Sequence, residues 1–64
     1  MRITLLPQRR EVELVGRRRV RDILQHLGLL PGTVMVICND ELKTEDDVVE
    51  GTDVIEIRSV ISGG

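Results

Sequence analysis

Two short segments near the start of the chain alternate between apolar and polar residues. Ile3 and Leu5 occupy every second position of the first segment, and Val12 and Leu14 do the same in the second. A period of two is typical of β-strands with one buried face. The segment between them begins with Pro7, so we predict a turn there and a hairpin formed by the two strands.

The next apolar positions follow a helical period; they are Val20, Ile23, Leu24 and Leu27. Their spacing of i, i+3, i+4 and i+7 places them on one face of an α-helix. Gly28 follows directly and predicts the helix end. No Ser, Thr, Asp or Asn stands just before the first of them, so the helix start is less sharply defined than its end.

Residues 33–38 are mostly β-branched and almost wholly apolar, which predicts the central strand of a sheet. One helix covers only one face of a sheet, so this strand needs a second partner. We expect Met35 and Ile37 to point toward the helix. The residues that alternate with them would then lie on the open face: Val34, Val36 and Cys38. Either a loop covers that face, or Val34 and Val36 form a partner-docking patch with Arg58.

The remaining segments are shorter. Residues 39–40 are Asn-Asp, a turn signal, and residues 41–42 predict a short returning strand. Thr44 is a candidate N-cap for a short acidic turn. Residues 54–58 alternate again and predict the last strand.

This order of elements predicts the fold class. One main helix must cover a mixed sheet of four or five strands, which is the β-grasp (ubiquitin-like) roll of the α+β class. We assign residues 1–59 to this domain and residues 60–64 to a flexible C-terminal tail.

Composition narrows the function classes. The 64 residues include no Phe, Tyr or Trp, which argues against single-stranded nucleic acid binding by base stacking. Residues 1–32 carry seven arginines against three acids, a net charge of +4, and residues 33–64 carry two basic residues against eight acids, a net charge of −6. We expect two opposed surface patches and no direct nucleic-acid partner.

Nothing in the chain predicts export or membrane insertion. No apolar run has the length of a signal-peptide core or of a membrane span. The single cysteine, Cys38, excludes an internal disulfide. We therefore expect a cytoplasmic protein in a reducing compartment, without a membrane partner.

Candidate catalytic and metal-binding residues are few. His26 falls on the polar side of the predicted helix without a nucleophile beside it, and Cys38 is interpreted as packing, with a reactive thiol as the alternative. The seven acids of residues 40–53 lack the rhythm of a calcium loop and are interpreted as a solvated rim. The triplet at residues 17–19 is weak support for phosphate or RNA binding. We predict no enzyme, no metal site and no cofactor bound by this chain.

The closing residues are the most distinctive segment, since "ISGG" directly follows a predicted strand. Together with "VRDILQHLG", "NDEL" and "EDDVVEGTDVIEIRSVISGG", they make the chain resemble the ubiquitin-like sulfur carriers of the ThiS/MoaD family over essentially its whole length. The resemblance implies that Gly64 is the site of covalent attachment. A ubiquitin-activating-like adenylyltransferase would use ATP-Mg to convert its carboxylate to an acyl-adenylate. A cysteine desulfurase or another persulfide donor would then supply the sulfur of a thiocarboxylate.

The resemblance also implies a role for the rest of the tail. The residues that would thread the partner's active site are Val60, Ile61, Ser62 and Gly63. Glycine lacks a Cβ and therefore passes a narrow channel and leaves the carbonyl unhindered. Extended, residues 59–64 would reach about 20 Å.

The receiving pathway and two other functions stay open. The segment "LKTEDD" stands where thiamine-pathway carriers have a Val-Pro-Arg-like stretch, which argues against thiazole synthesis. The same segment resembles carriers that serve tRNA 2-thiouridine formation, so a tRNA thiolase ranks first. The large subunit of molybdopterin synthase ranks second and a thiazole synthase third. The alternatives to a sulfur carrier are a protein modifier that forms isopeptide bonds with lysines and a non-catalytic β-grasp interaction module.

Overall fold

The structure, a computed structural model, describes residues 1–60. Its elements in chain order are β1 (Arg2–Leu6), β2 (Arg10–Glu13), β3 (Arg18–Arg19), α1 (Val20–Leu27), a 3₁₀ helix (Pro31–Thr33), β4 (Val34–Cys38), β5 (Glu41–Lys43), β6 (Val48–Val49) and β7 (Val54–Ser59). In the described part of the chain, no helix has the length and apolar character needed to cross a membrane.

The main sheet has five strands in the order β2-β1-β7-β4-β5, and β3 pairs with β6 in a separate two-stranded sheet. β1 and β7 are parallel, whereas β1–β2, β4–β7 and β4–β5 are antiparallel. A mixed sheet that packs one face on a single α-helix is the β-grasp arrangement, so the predicted fold class is confirmed. The central strand is β7, however, and the prediction that residues 33–38 form it is wrong.

Backbone groups from a distant loop complete the start of α1. Arg19 is the N-cap residue and makes no side-chain capping hydrogen bond. Instead, the N–H groups of Val20 and Arg21 donate to the carbonyl oxygens of Asp47 and Glu45 at 2.9 and 3.0 Å. Helix N-termini leave such donors unsatisfied unless another group accepts from them. The 45–47 loop therefore supplies the cap that the sequence lacks.

The end of α1 follows its local sequence. Gly28 has φ +72°, a left-handed conformation that glycine adopts without steric cost. Its N–H donates to the Gln25 carbonyl at 3.1 Å, and the Leu29 N–H donates to the Leu24 carbonyl at 2.8 Å. The predicted helix end is confirmed.

The core lies between α1 and one face of the sheet. Its buried side chains are Met1, Ile3, Leu14, Val20, Ile23, Leu24, Val36, Cys38, Val49, Ile55 and Ile57. Leu5, Val12, Leu27, Leu29 and Val34 are partly buried against them. Sequence reasoning did not anticipate Met1 or Val49, because neither belongs to a predicted strand or helix.

The predicted orientation of β4 is wrong. Val36 and Cys38 are 3% and 1% exposed in the core, whereas Met35 is 37% exposed on the opposite face. The register explains the difference, because Val36 lies opposite Ile57 and Cys38 opposite Ile55. Opposite residues in a strand pair point to the same face, so the inward isoleucines of β7 bring these two residues inward as well.

The acidic segment after β5 forms the predicted short turn, but the Thr44 side chain does not cap it as an acceptor. The Asp47 carboxylate accepts hydrogen bonds from the Thr44 backbone N–H at 2.7 Å and from its hydroxyl at 3.2 Å. Thr44 is therefore the donor, and the carboxylate three residues later is the capping group. These bonds, led by that from the backbone N–H, hold the pKa of Asp47 below its ordinary value.

Candidate functional site

The structured body holds the chain through Val60, just before the closing residues. Ser59 is the last residue of β7 and lies opposite Val34. The Val60 N–H then donates to the Thr33 carbonyl at 3.1 Å. Thr33 is itself fixed in the 3₁₀ helix, where its hydroxyl donates to the Leu30 carbonyl at 2.7 Å. Two neighbouring strands and the 3₁₀ helix thus anchor the segment from which the tail departs.

Of the predicted attachment site and threading segment, the structure describes only Val60. Ile61, Ser62, Gly63 and Gly64 lie outside the described residues. Val60 is described, and its side chain is 48% exposed. The last residue of the predicted tail that the structure places therefore has an accessible apolar side chain.

The end of β1 lies beside the base of the tail. Because β1 and β7 are parallel, Leu6 is in register with Arg58 at the end where the tail departs. A shallow hollow at this edge is lined by Leu6, Pro7, Arg9, Arg58 and Ser59. The same row continues on β4, where Met35 lies opposite Arg58. An apolar and basic surface thus adjoins the point of departure.

We call the sheet surface opposite α1 the open face. Its exposed or half-buried apolar side chains are Leu6, Met35, Ile37, Leu42 and Val54. The structure does not bring the predicted docking residues together there, because Val36 is buried in the core and Val34 packs against it from the helix side. Of the three, Arg58 alone points to the open face. The predicted docking patch is therefore wrong for Val34 and Val36, which do not lie on the open face.

Ion pairs organise the charged groups of the open face. Arg2 lies 3.7 Å from Glu11 and 3.8 Å from Glu13 across the β1–β2 pair. Arg58 donates from Nε to Glu56, two positions back on the same strand. All five side chains are more than one-third exposed. Pairs of this kind contribute little to stability, so they mainly determine the pattern of charge that a partner meets.

The basic and acidic halves of the chain meet on the other side of the molecule. Arg17 pairs with Glu50 at 3.4 Å, and Arg21 pairs with Glu45 and Asp46 at 3.7 and 2.5 Å. Antiparallel pairing of β3 with β6 brings these segments together. The prediction of two opposed patches is thus wrong for these residues, because the fold pairs arginines of the first half with acids of the second.

The one thiol is not positioned for chemistry. Cys38 is 1% exposed, and burial, reinforced by the negative charge of Asp53, raises its pKa above the ordinary value. A raised pKa disfavours the thiolate, which is the reactive form of cysteine. His26 is exposed on α1. Within residues 1–60, no group of three or more His, Cys, Asp or Glu side chains is arranged to hold a metal ion.

The described residues thus form a small body with apolar side chains on its open face and an anchored strand that leads into the tail. The family model described as "ThiS family" matches residues 3–64. The chain therefore belongs to the ThiS family, as the resemblance of its sequence predicted.

Two individual proteins and one solved structure are similar to this chain. The sulfur carrier protein TtuB of Thermus thermophilus is 48% identical over 65 residues that span all of both chains. An uncharacterized protein of Archaeoglobus fulgidus is 46% identical over 54 residues, covering 84% of this chain and 78% of that protein. The solution structure of a thiamine biosynthesis protein from Geobacter metallireducens has a TM-score of 0.62 at 23% identity, covering 100% of this chain and 88% of that one. This last likeness concerns the fold alone.

Proposed function

We propose that this chain is a sulfur carrier and that the carboxyl group of Gly64 carries the sulfur. The observation that carries the proposal is the ThiS family match, which runs through residue 64 and so includes the closing glycine pair. The full-length similarity to a protein named as a sulfur carrier supports it. The chain acts as a substrate of other enzymes, and we place this reaction in the cytoplasm.

The chemistry needs an activated acyl group, because a carboxylate is a poor acyl donor. An activating enzyme of the ubiquitin-activating type uses ATP-Mg to form the Gly64 acyl-adenylate and releases pyrophosphate. The terminal sulfur of a persulfide, from a cysteine desulfurase or a similar donor, attacks the carbonyl carbon and AMP leaves. A second thiol then reduces the sulfur–sulfur bond and leaves the thiocarboxylate. This chain binds no cofactor of its own in the scheme.

The body's contribution is to present the tail. Ser59 is held in the sheet and Val60 by Thr33, so four residues remain to enter the activating enzyme. A fully extended chain of that length spans at most about 14 Å. The enzyme must therefore bring its nucleotide close to the body, and Gly63 and Gly64 give the narrowest chain at the point of reaction.

We assign docking of the activating enzyme to the part of the open face nearest the tail. Leu6, Arg58 and Met35 form one row across β1, β7 and β4 at that end. Met35→Asp is expected to slow adenylation about tenfold or more, because it places a charge in an apolar contact. The matched control is Val15→Asp, since Val15 is 83% exposed at the far end of the sheet. Equal rates for the two variants would contradict this assignment.

Intact-mass analysis tests the carrier function. The chain is incubated with the activating enzyme, ATP-Mg and a sulfur donor, and the expected mass gain is that of one oxygen replaced by one sulfur. Deletion of Gly64 is expected to abolish the gain, whereas Gly32→Ala and Cys38→Ala are expected to retain it. The proposal is refuted if the deletion variant still acquires sulfur, or if fragmentation places the sulfur on Cys38.

The receiving pathway remains a prediction in the order already given, with a tRNA thiolase first. To test this order, the purified thiocarboxylate form of the chain is incubated separately with a tRNA thiolase, the large subunit of a molybdopterin synthase and a thiazole synthase. The receiving enzyme is the one that removes the sulfur and converts the chain back to the unmodified carboxylate. If a chain without Gly63 and Gly64 corrected every defect of a strain that lacks this protein, the interaction-module alternative would replace the carrier function.

A further inference from the structure

Two primary amines in this chain could accept an acyl group. Lys43 is the single lysine, and the α-amino group of Met1 is the other candidate. Arginine side chains remain protonated and do not compete. The sequence leaves both amines open as acceptors, and the structure distinguishes them.

The Met1 amino group is bound inside the fold. It donates to the Leu14 carbonyl at 2.5 Å and to the Gly51 carbonyl at 2.6 Å. The Leu14 N–H donates back to the Met1 carbonyl at 3.0 Å, and the methionine is 7% exposed among the core residues. An acylating group can reach this nitrogen only after the N-terminal residue leaves the core and gives up both hydrogen bonds.

Lys43 is partly exposed, and its amine pairs with an exposed carboxylate. It lies on β5, the last strand of the sheet order, opposite the buried Val36. Its side chain is 24% exposed and lines a hollow with Val20, Leu24 and Val34. Nζ lies 3.6 Å from the Glu41 carboxylate, whose side chain is 73% exposed. A lysine in this position packs its aliphatic stem and keeps its charged end in solvent.

We propose that Lys43 is the acceptor amine of this chain for acyl transfer from an activated Gly64 carboxyl group of a second copy. This inference rests on the proposed function, which supplies the acyl-adenylate. The neutral Nζ attacks the Gly64 carbonyl carbon, a carbon–nitrogen bond forms, and the bond to the phosphate oxygen breaks with departure of AMP. One proton passes to solvent, and nothing is oxidised or reduced. The product is an isopeptide bond between two chains.

The first experiment measures amine accessibility without any activating enzyme. Folded chain and chain unfolded in urea are each treated at pH 7 with limiting N-hydroxysuccinimidyl acetate, and the acetylated residues are mapped. In unfolded peptides α-amino groups titrate near pKa 7.7–8.0 and lysines near 10.4, so the neutral fraction of the α-amino group is on the order of 10²-fold larger. Met1 should therefore react first in urea. In the folded chain Lys43 should react first, at least tenfold ahead of Met1.

The matched control is Lys43→Arg, which keeps the positive charge and removes the amine that the reagent acylates. Folded K43R should take up less than about one-tenth of the label, and in urea it should be labelled at Met1 like the parent chain. Labelling of Met1 ahead of Lys43 in the folded parent overturns the proposal. An unlabelled Lys43 in folded chain that labels normally in urea overturns it as well.

The second experiment follows conjugation itself. The chain or K43R is incubated with the activating enzyme and ATP-Mg, without a sulfur donor. Trypsin cleaves after Arg58, so a conjugated Lys43 carries residues 59–64 as its remnant. The parent is expected to form this conjugate, and K43R at least tenfold less of it. An adenylate that forms while Lys43 stays free refutes the inference and leaves the proposed function intact. Failure to form any adenylate refutes the proposed function. It also refutes the inference about Lys43, which requires the Gly64 acyl-adenylate as acyl donor.

Discussion

The orientation of β4 determines which side chains form the core and which face a partner, and it can be tested by comparing two identical substitutions. Val36 is 3% exposed, whereas Val54 on the central strand is 62% exposed. Val→Ala removes the same atoms at both sites. At Val36 the lost transfer free energy is about 0.8 kcal/mol for each of two carbon groups, and the cavity adds to it, for a total of about 2–3 kcal/mol.

That loss is a large part of the stability of so small a domain. Proteins are stable by about 0.05–0.15 kcal/mol per residue, which gives about 3–10 kcal/mol for this chain. At about 4–8 °C per kcal/mol, Val36→Ala should lower the Tm by about 8–24 °C. Val54→Ala and Met35→Ala should each change the free energy of unfolding by less than about 1 kcal/mol, because they truncate side chains of the exposed face.

Urea unfolding followed by far-UV circular dichroism measures these differences. The chain has no aromatic residue, so intrinsic fluorescence gives no signal. The midpoint should fall for Val36→Ala with an unchanged slope, which indicates lost stability and an unchanged unfolding transition. If Met35→Ala proved as costly as Val36→Ala, the orientation of β4 derived from its register with β7 would be refuted.

Local features of the fold give three further predictions. Gly28→Ala should lower the free energy of unfolding by about 1–2 kcal/mol in a urea titration, because φ is +72° at this position. Gly32→Ala is the near-neutral control, because a Cβ added at Gly32 has no atom within 4 Å. Asp47→Asn should lower the Tm at pH 7 and lose this effect in acid. Because the pKa of Asp47 is lower in the folded chain than its ordinary value of 3.8, the ionised carboxylate stabilises the fold fully at pH values above 3.8. This stabilisation is lost as the pH falls through the lower pKa of the folded chain. A Tm difference that persisted in acid would contradict this account. Cys38 should react with a disulfide reagent such as dithionitrobenzoate at least tenfold more slowly in the folded chain than in urea, because burial raises its pKa and covers the sulfur; equal rates would show an accessible thiol.

Local sequence determined the elements whose signals lie within one segment. Alternation placed Ile3 and Leu14 in the core, the i, i+3, i+4 pattern placed Ile23 there, and Gly28 ended the helix. These patterns are reliable because side-chain direction repeats every two residues in a strand and about every 3.6 residues in a helix, whatever packs against the element. The closing glycine pair contributed to the resemblance to the ThiS/MoaD carriers, and that resemblance implied Gly64 as the candidate attachment site.

Pairing between distant segments decided the rest. A strand that is apolar on both faces carries no periodicity, so only the register with Ile55 and Ile57 turned Val36 inward and Met35 outward. The start of α1 depends on carbonyl groups of the 45–47 loop, and the two halves of opposite charge meet because β3 pairs with β6. Burial of the Met1 amino group arises from contacts with Leu14 and a loop fifty residues away. The chain alone therefore specified the helix, the longer strands and the fold class. The short β3–β6 pair and the question of which faces and which amines remain accessible were decided by tertiary contacts, because pairing and exposure depend on the rest of the chain.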